Sequence, residues 1–92
     1  MQVEFDSAKR DITLALRGLD FADAPEVFSG VNVTFEDQRE AYGEPRFNTL
    51  GLLGGRMVVV TWTPRGEVRR IISMRKANER EQARFGPLDR PG

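Results

Sequence analysis

The stretch RFNTLGLLGGRMVVVTWTPRGEVRRIISMR, residues 46–75, decides the fold. Gly54-Gly55 sits between two apolar runs and signals a two-residue hairpin. Pro64-Arg65-Gly66 fits a three-residue hairpin loop, with proline preset at the second turn position and glycine in the left-handed position of a bulge. These turns predict strands over residues 46–53, 57–63 and 67–75. Residues 57–63 are apolar on both faces, which puts that strand at the centre of the sheet.

The two turns also predict a register. Gly54-Gly55 pairs Leu52 with Met57, Leu50 with Val59 and Asn48 with Thr61. Pro64 to Gly66 pairs Thr63 with Glu67, Thr61 with Arg69 and Val59 with Ile71. Alternation then sends Phe47, Thr49, Val58, Val60, Trp62, Val68, Arg70, Ile72 and Met74 to one face, the better core, where the helices are expected. The other face holds Arg46, Asn48, Leu50, Thr61, Thr63, Glu67, Arg69, Ile71, Ser73 and Arg75. It is polar near the second hairpin and would gather Arg46, Asn48, Thr61 and Arg69 from three strands. A slip of one residue would exchange the two sets.

Working outward, Val31, Val33 and Phe35 alternate with polar residues and predict a further strand. Residues 37–45 are a polar loop that contains Tyr42, the only tyrosine. Asp6-Ser7 is a helix cap for residues 8–17, with Ile12, Leu14 and Leu16 as its apolar content and Gly18 as its stop. Residues 21–28 predict a short second helix and residues 76–85 a C-terminal one, ended by Gly86-Pro87. The expected fold is α+β: N-terminal helices, a four-stranded antiparallel meander and a C-terminal helix. Residues 1–86 form one domain and residues 87–92 a tail.

The chain has 92 residues, no cysteine and no histidine. That excludes a disulfide framework, a cysteine nucleophile and an ordinary transition-metal site, and it removes the commonest general base. No metal or cofactor is expected. The first residues lack an apolar run, so the chain is read as cytoplasmic with no membrane span. Net charge is zero but unevenly spread. Residues 1–64 hold six basic and ten acidic residues, whereas residues 65–85 hold seven basic and three acidic. An anion-binding patch on an otherwise acidic domain is one reading, and a solvated strand and helix is the other.

Arginine is suited to phosphate, because its planar, permanently charged guanidinium donates two parallel hydrogen bonds. RNA carries its own nucleophile, the 2′-hydroxyl, so a chain without histidine or cysteine can still position an RNA backbone and stabilise its transition state. Against this, each arginine also has acidic residues with which to pair. Trp62, in the central strand, is read as core rather than as a base-stacking residue. Tyr42 is a candidate proton donor or stacking residue in its loop.

Arg70-Ile-Ile-Ser-Met-Arg-Lys-Ala77, followed by Glu81 and Phe85, resembles the RIISAR-x-A…E…Y signature of BrnT-type toxins, the ribonuclease partners in BrnT–BrnA toxin–antitoxin pairs. Phe5-Asp6-x-x-Lys9, Phe21 with Ala24 to Phe28, Gly43-Glu44-x-Arg46-Phe47 and Leu50-Gly51 resemble other segments of that family in the same order. The resemblance implies a RelE-like fold, metal-free RNA cleavage that arrests translation, and neutralisation by a BrnA-like antitoxin in a hetero-oligomer. Carried over by position, it points to Arg46, Arg70, Arg75, Lys76 and Glu81. The resulting expectation is that Arg46, Asn48, Arg69 and Arg75 bind RNA while Arg70, Lys76 and Glu81 assist transfer. Three positions depart from the pattern: Leu16-Arg17-Gly18 replaces Lys-His-Gly, Met74 replaces the alanine of the signature, and Phe85 replaces the terminal tyrosine. The competing expectation is a catalytically weak module that binds a partner protein or RNA through the same arginines.

Overall fold

The structure, a computed structural model, describes residues 1–39, 41 and 43–86. Gly54 and Gly55 both take positive φ, 57° and 80°, as a type I′ turn requires. They join β3 (Phe47–Leu53) to β4 (Arg56–Arg65) with Leu52 opposite Met57, Leu50 opposite Val59 and Asn48 opposite Thr61. This is the expected register.

The second hairpin is tighter than expected. Arg65 pairs with Val68, so the loop between β4 and β5 (Val68–Lys76) is the two residues Gly66-Glu67, with Gly66 at φ 60°. Pro64 stays inside β4, and pairs with Arg69, while Thr63 pairs with Arg70. The shift is an odd number of residues, so it exchanges faces. Arg69 lies on the side of Trp62, and Arg70 on the side of Thr61, the reverse of the expected assignment. A bulge then corrects the phase: Trp62 pairs with Ile71 but Thr61 pairs with Ser73, leaving Ile72 as the extra residue. Beyond it Ser73 and Arg75 return to the face predicted for them.

The sheet has five strands in the order β1-β5-β4-β3-β2, not four. β2 (Asn32–Glu36) pairs antiparallel with β3, as expected. The addition is β1 (Val3–Phe5), which pairs parallel with β5 through Val3–Arg69, Glu4–Arg70 and Phe5–Ile71 and covers an edge that would otherwise be open. The sheet is therefore mixed, and the chain opens on a strand rather than a helix. Three residues are too few for alternation to reveal, and their partner lies more than sixty positions away.

α1 (Ser7–Arg17) begins where Asp6 accepts a hydrogen bond from the Lys9 amide at 3.0 Å and ends at Gly18, φ 69°. It buries no residue: Ile12 and Leu16 are 58% and 80% exposed, and the helix is tied down by Arg10–Asp20 bonds of 2.8 and 2.9 Å and by Arg17 donating to the Met74 carbonyl at 2.9 Å. A 3₁₀ turn (Phe21–Asp23) and α2 (Ala24–Ser29) replace the single short helix expected there. Leu19, Phe21, Ala24 and Val27 pack with Val58, Val60, Trp62, Ile71 and Met74 into the main core. α3 (Glu79–Phe85) does not join them. Its Phe85 packs with Leu50, Met57, Val59 and Ala77 on the opposite face, because that end of the face is apolar. The helices before β2 thus cover most of one side of the sheet, and α3 covers only one end of the other. No described helix is long and apolar enough to cross a membrane.

Gly51 lies beneath α2, where a Cβ would come 2.8 Å from Val27 Cγ1 and 3.2 Å from Asn32 Cβ. Gly51→Val should lower stability by about 1–3 kcal/mol through overpacking, read as a reduced urea midpoint. An unchanged midpoint would contradict the close seating of α2 on β3.

Candidate functional site

The end of the second face that α3 leaves open is polar. Asn48, Thr61 and Ser73 form one row across β3, β4 and β5. Thr61 Oγ1 donates to Asn48 Oδ1 at 2.6 Å, which holds the middle of this floor rigid. In the row on one side, Arg75 stands beside Val59, and in the row on the other, Arg70 stands beside Thr63. Arg46, one residue before β3, continues the alternation toward the Thr63 row, and its carbonyl accepts from the Asp37 amide at 2.8 Å. Residues 36–39, at and beyond the end of β2, and Glu81 in the first turn of α3 wall the floor into a cleft of about 310 Å³.

Two clamped guanidiniums face this cleft. Arg75 donates from Nη1 and Nη2 to the two carboxylate oxygens of Glu81 at 2.8 and 2.9 Å. Glu81 also completes the capping box of α3: its Oε1 accepts from the Asn78 amide at 2.9 Å, while Asn78 Oδ1 accepts from the Glu81 amide at 2.8 Å. One carboxylate therefore both starts the helix and holds the arginine. The Arg75 hydrogen bonds keep the Glu81 carboxyl below its ordinary range, and Glu81 in turn raises Arg75. Opposite, Arg39 donates to both oxygens of Asp37 at 2.9 and 2.8 Å. Those bonds, with a smaller contribution from Asn48, bring the buried Asp37 carboxyl down to about 2. The charge of Arg39 is felt at Arg75, so the two cations share one region of space.

Of the residues singled out by sequence, Arg46, Asn48, Arg70, Arg75 and Glu81 lie on this face or its wall. Arg70 is on the open face after all, its Nη1 3.7 Å from Glu4 on β1. Arg69 is on the other side of the sheet, with its guanidinium 4.2 Å from the Trp62 ring centroid and 4.5 Å from that of Phe28. It does not meet Arg46 and Asn48. Lys76 lines a separate depression with Gly55, Arg56, Met57 and Gln82. Trp62 is core, its Nε1 donating to Thr49 Oγ1 at 2.8 Å. Tyr42 falls outside the described residues. Arg39 and Asp37 were not singled out, since a loop carries no periodicity that would aim its side chains. Among the described residues no group of three or more acidic side chains is placed to hold a metal ion.

Asp37 gives the cleft a pH signature. Its folded pKa, about 2, lies below the ordinary 3.8, so its contribution is complete above the ordinary value and is lost as pH falls toward the folded one. Asp37→Asn should be less stable than the wild-type chain near neutrality, with the deficit shrinking from about pH 4 to about pH 2. Thermal unfolding across this range checks it, and a deficit that stays constant would rule out the Arg39–Asp37 clamp.

The family described as "Ribonuclease toxin, BrnT, of type II toxin-antitoxin system" matches residues 5–81. Among curated proteins no relative matches. The family match takes in every strand from β2 to β5, the floor of the cleft and Glu81. With most of its length so matched, the chain belongs to the BrnT ribonuclease toxins of type II toxin–antitoxin systems.

Proposed function

We propose that this chain is a metal-independent endoribonuclease that arrests translation in the cytoplasm and is neutralised by a BrnA-like antitoxin. The observation that carries this reading is the uncovered sheet face, where Arg46, Arg70 and Arg75 flank the Asn48–Thr61–Ser73 floor. Arginines at successive levels of one face suit the repeating charge of a polynucleotide backbone. Polar floor groups suit the ribose and base edges. Lys76, exposed at the end of β5 opposite Val58, stands outside this row.

Cleavage requires the 2′-oxygen to attack the adjacent phosphorus as the P–O5′ bond breaks, leaving a 2′,3′-cyclic phosphate and a 5′-hydroxyl. A proton leaves the 2′-hydroxyl and another reaches the departing oxygen. Glu81 bound to Arg75 is too weak a base for the first transfer. A phosphate that takes over the two Arg75 donors frees Glu81, restores its basicity and leaves it beside the substrate. Arg75 then stabilises the charge that develops on the phosphoryl oxygens. Arg46 and Arg70 hold the flanking phosphates, and Asn48 the ribose.

The second reading is an RNA- or protein-binding module with little turnover. It is favoured by the clamping of both Arg39 and Arg75 by carboxylates in the free chain. Incubating the purified chain with RNA in excess EDTA separates the two. Cleavage to cyclic phosphate ends supports the enzyme, while growth arrest on induction with intact RNA supports the module. In the enzyme, Arg75→Ala should lower the cleavage rate by about 10²–10³-fold and Glu81→Gln by about 10²-fold. Folded variants that cleave as fast as the wild-type chain would remove both residues from the mechanism.

A further inference from the structure

Arg69 is built differently from the other arginines of β5. Arg70 has Glu4 and Arg75 has Glu81, but among the described residues Arg69 has no ion pair and its side chain makes no hydrogen bond. Its guanidinium lies over the Trp62 and Phe28 rings. Those rings are themselves fixed. Phe47 stacks on Trp62 at 5.0 Å, Phe28 meets Trp62 edge-on at 5.8 Å, and Thr49 holds the indole nitrogen. Burial lowers the Arg69 pKa with no acid to offset it. A half-buried cation without a counter-charge costs stability that its ring contacts offset in part. Arg69 is nevertheless only half-buried, and among the described residues none of its nitrogens is both fully buried and without a partner.

We propose that Arg69 is a preformed socket for one carboxylate side chain of the antitoxin, on the side of the sheet away from the candidate RNA cleft. The proposal rests on the antitoxin partnership proposed above. The occupant follows from what is free and what is taken. The Arg69 guanidinium lies over the Trp62 and Phe28 rings and Phe47 stacks on Trp62, so the indole offers a nucleotide base no open face. What remains is a planar fork, which matches a carboxylate with two parallel bonds. Residues 1–31, which supply the helices of this side, hold six acidic and three basic residues, and that charge opposes a polyanion. A protein segment bearing a single aspartate or glutamate meets far less opposition. The aromatic stack keeps the fork in place before binding, so little side-chain freedom is lost on association.

The test uses the intact chain and the co-expressed product of the neighbouring reading frame. Arg69→Gln should bind this antitoxin about 10–100-fold more weakly, the loss expected for one charge-assisted pair. Cleavage of RNA by the free variant should match the wild-type chain, and near-ultraviolet circular dichroism of the single tryptophan should show the core intact. Arg69→Lys keeps the charge but not the fork and should not restore binding. One aspartate or glutamate of the antitoxin, changed to its amide, should give the same loss and show no further loss with Arg69→Gln. Wild-type affinity in a folded Arg69→Gln variant overturns the socket and leaves the RNA reading untouched. Lost cleavage with retained antitoxin binding would assign Arg69 to RNA and also overturn it. If the wild-type chain itself fails to bind the antitoxin, both the partnership and the socket fall.

Discussion

Arg65 pairs with Val68 across Gly66-Glu67, and every side chain along β5 takes its direction from that pair. The turn sends Arg69 toward the aromatic core and Arg70 toward the open face. The extra residue at Ile72 then allows Ile71 and Met74 both to reach the core while Ser73 and Arg75 face outward. Without the bulge, strict alternation would carry Ser73 and Arg75 to the core side along with Ile71. Four charged or polar residues and two core residues are thus sorted by one tight turn and one irregular step. β1 depends on the same register, since Glu4 meets Arg70 only because Arg70 points away from the helices.

The cations of the open face are held but not locked. Arg75 keeps 44% of its side-chain surface and Glu81 20%, so water reaches that pair, whereas the carboxylate that holds Arg39 keeps only 2%. A pair reached by water contributes on the order of 0–1 kcal/mol. A phosphate can therefore exchange with Glu81 at small cost, and the carboxylate still has the Asn78 amide to bind. Holding arginines with carboxylates also lets a chain of zero net charge carry a local cationic face. The acids set the geometry of these guanidiniums in the free chain.

Much of this was legible in the chain itself. Gly54-Gly55 announced its turn, because two adjacent left-handed residues are tolerated almost nowhere else. Asp6 and Gly18 marked the ends of α1. The core role of Trp62 followed from its central strand. The second hairpin misled because proline suits a turn, yet Pro64 sits within β4, where it faces Arg69 and needs no amide of its own. Lys76 and Ala77 are good helix formers and suggest an earlier start for α3, whereas the strand ladder runs to Lys76 and the cap is Asn78. Arg39 was invisible for a different reason: its place depends on Asp37, two residues away in a loop. Local pattern reveals periods and turns, and it is blind to how an irregular loop aims its side chains.

The departures from the resembled family pattern also acquire a physical meaning. Arg17 stands where that pattern has histidine, and it is committed to the Met74 carbonyl rather than to the cleft lining. Phe85 stands where the pattern has tyrosine, and its ring belongs to the Leu50–Met57–Val59–Ala77 cluster beneath α3. In this chain both positions hold the structure together. A phenol at position 85 would add a hydroxyl at the margin of an apolar cluster that includes fully buried Leu50. The chemistry of the open face is left to guanidiniums, hydroxyls, an amide and the carboxylates that hold them. Among these only Glu81 is at once in the cleft wall, joined to an arginine of the sheet and able to keep a hydrogen bond when that arginine leaves.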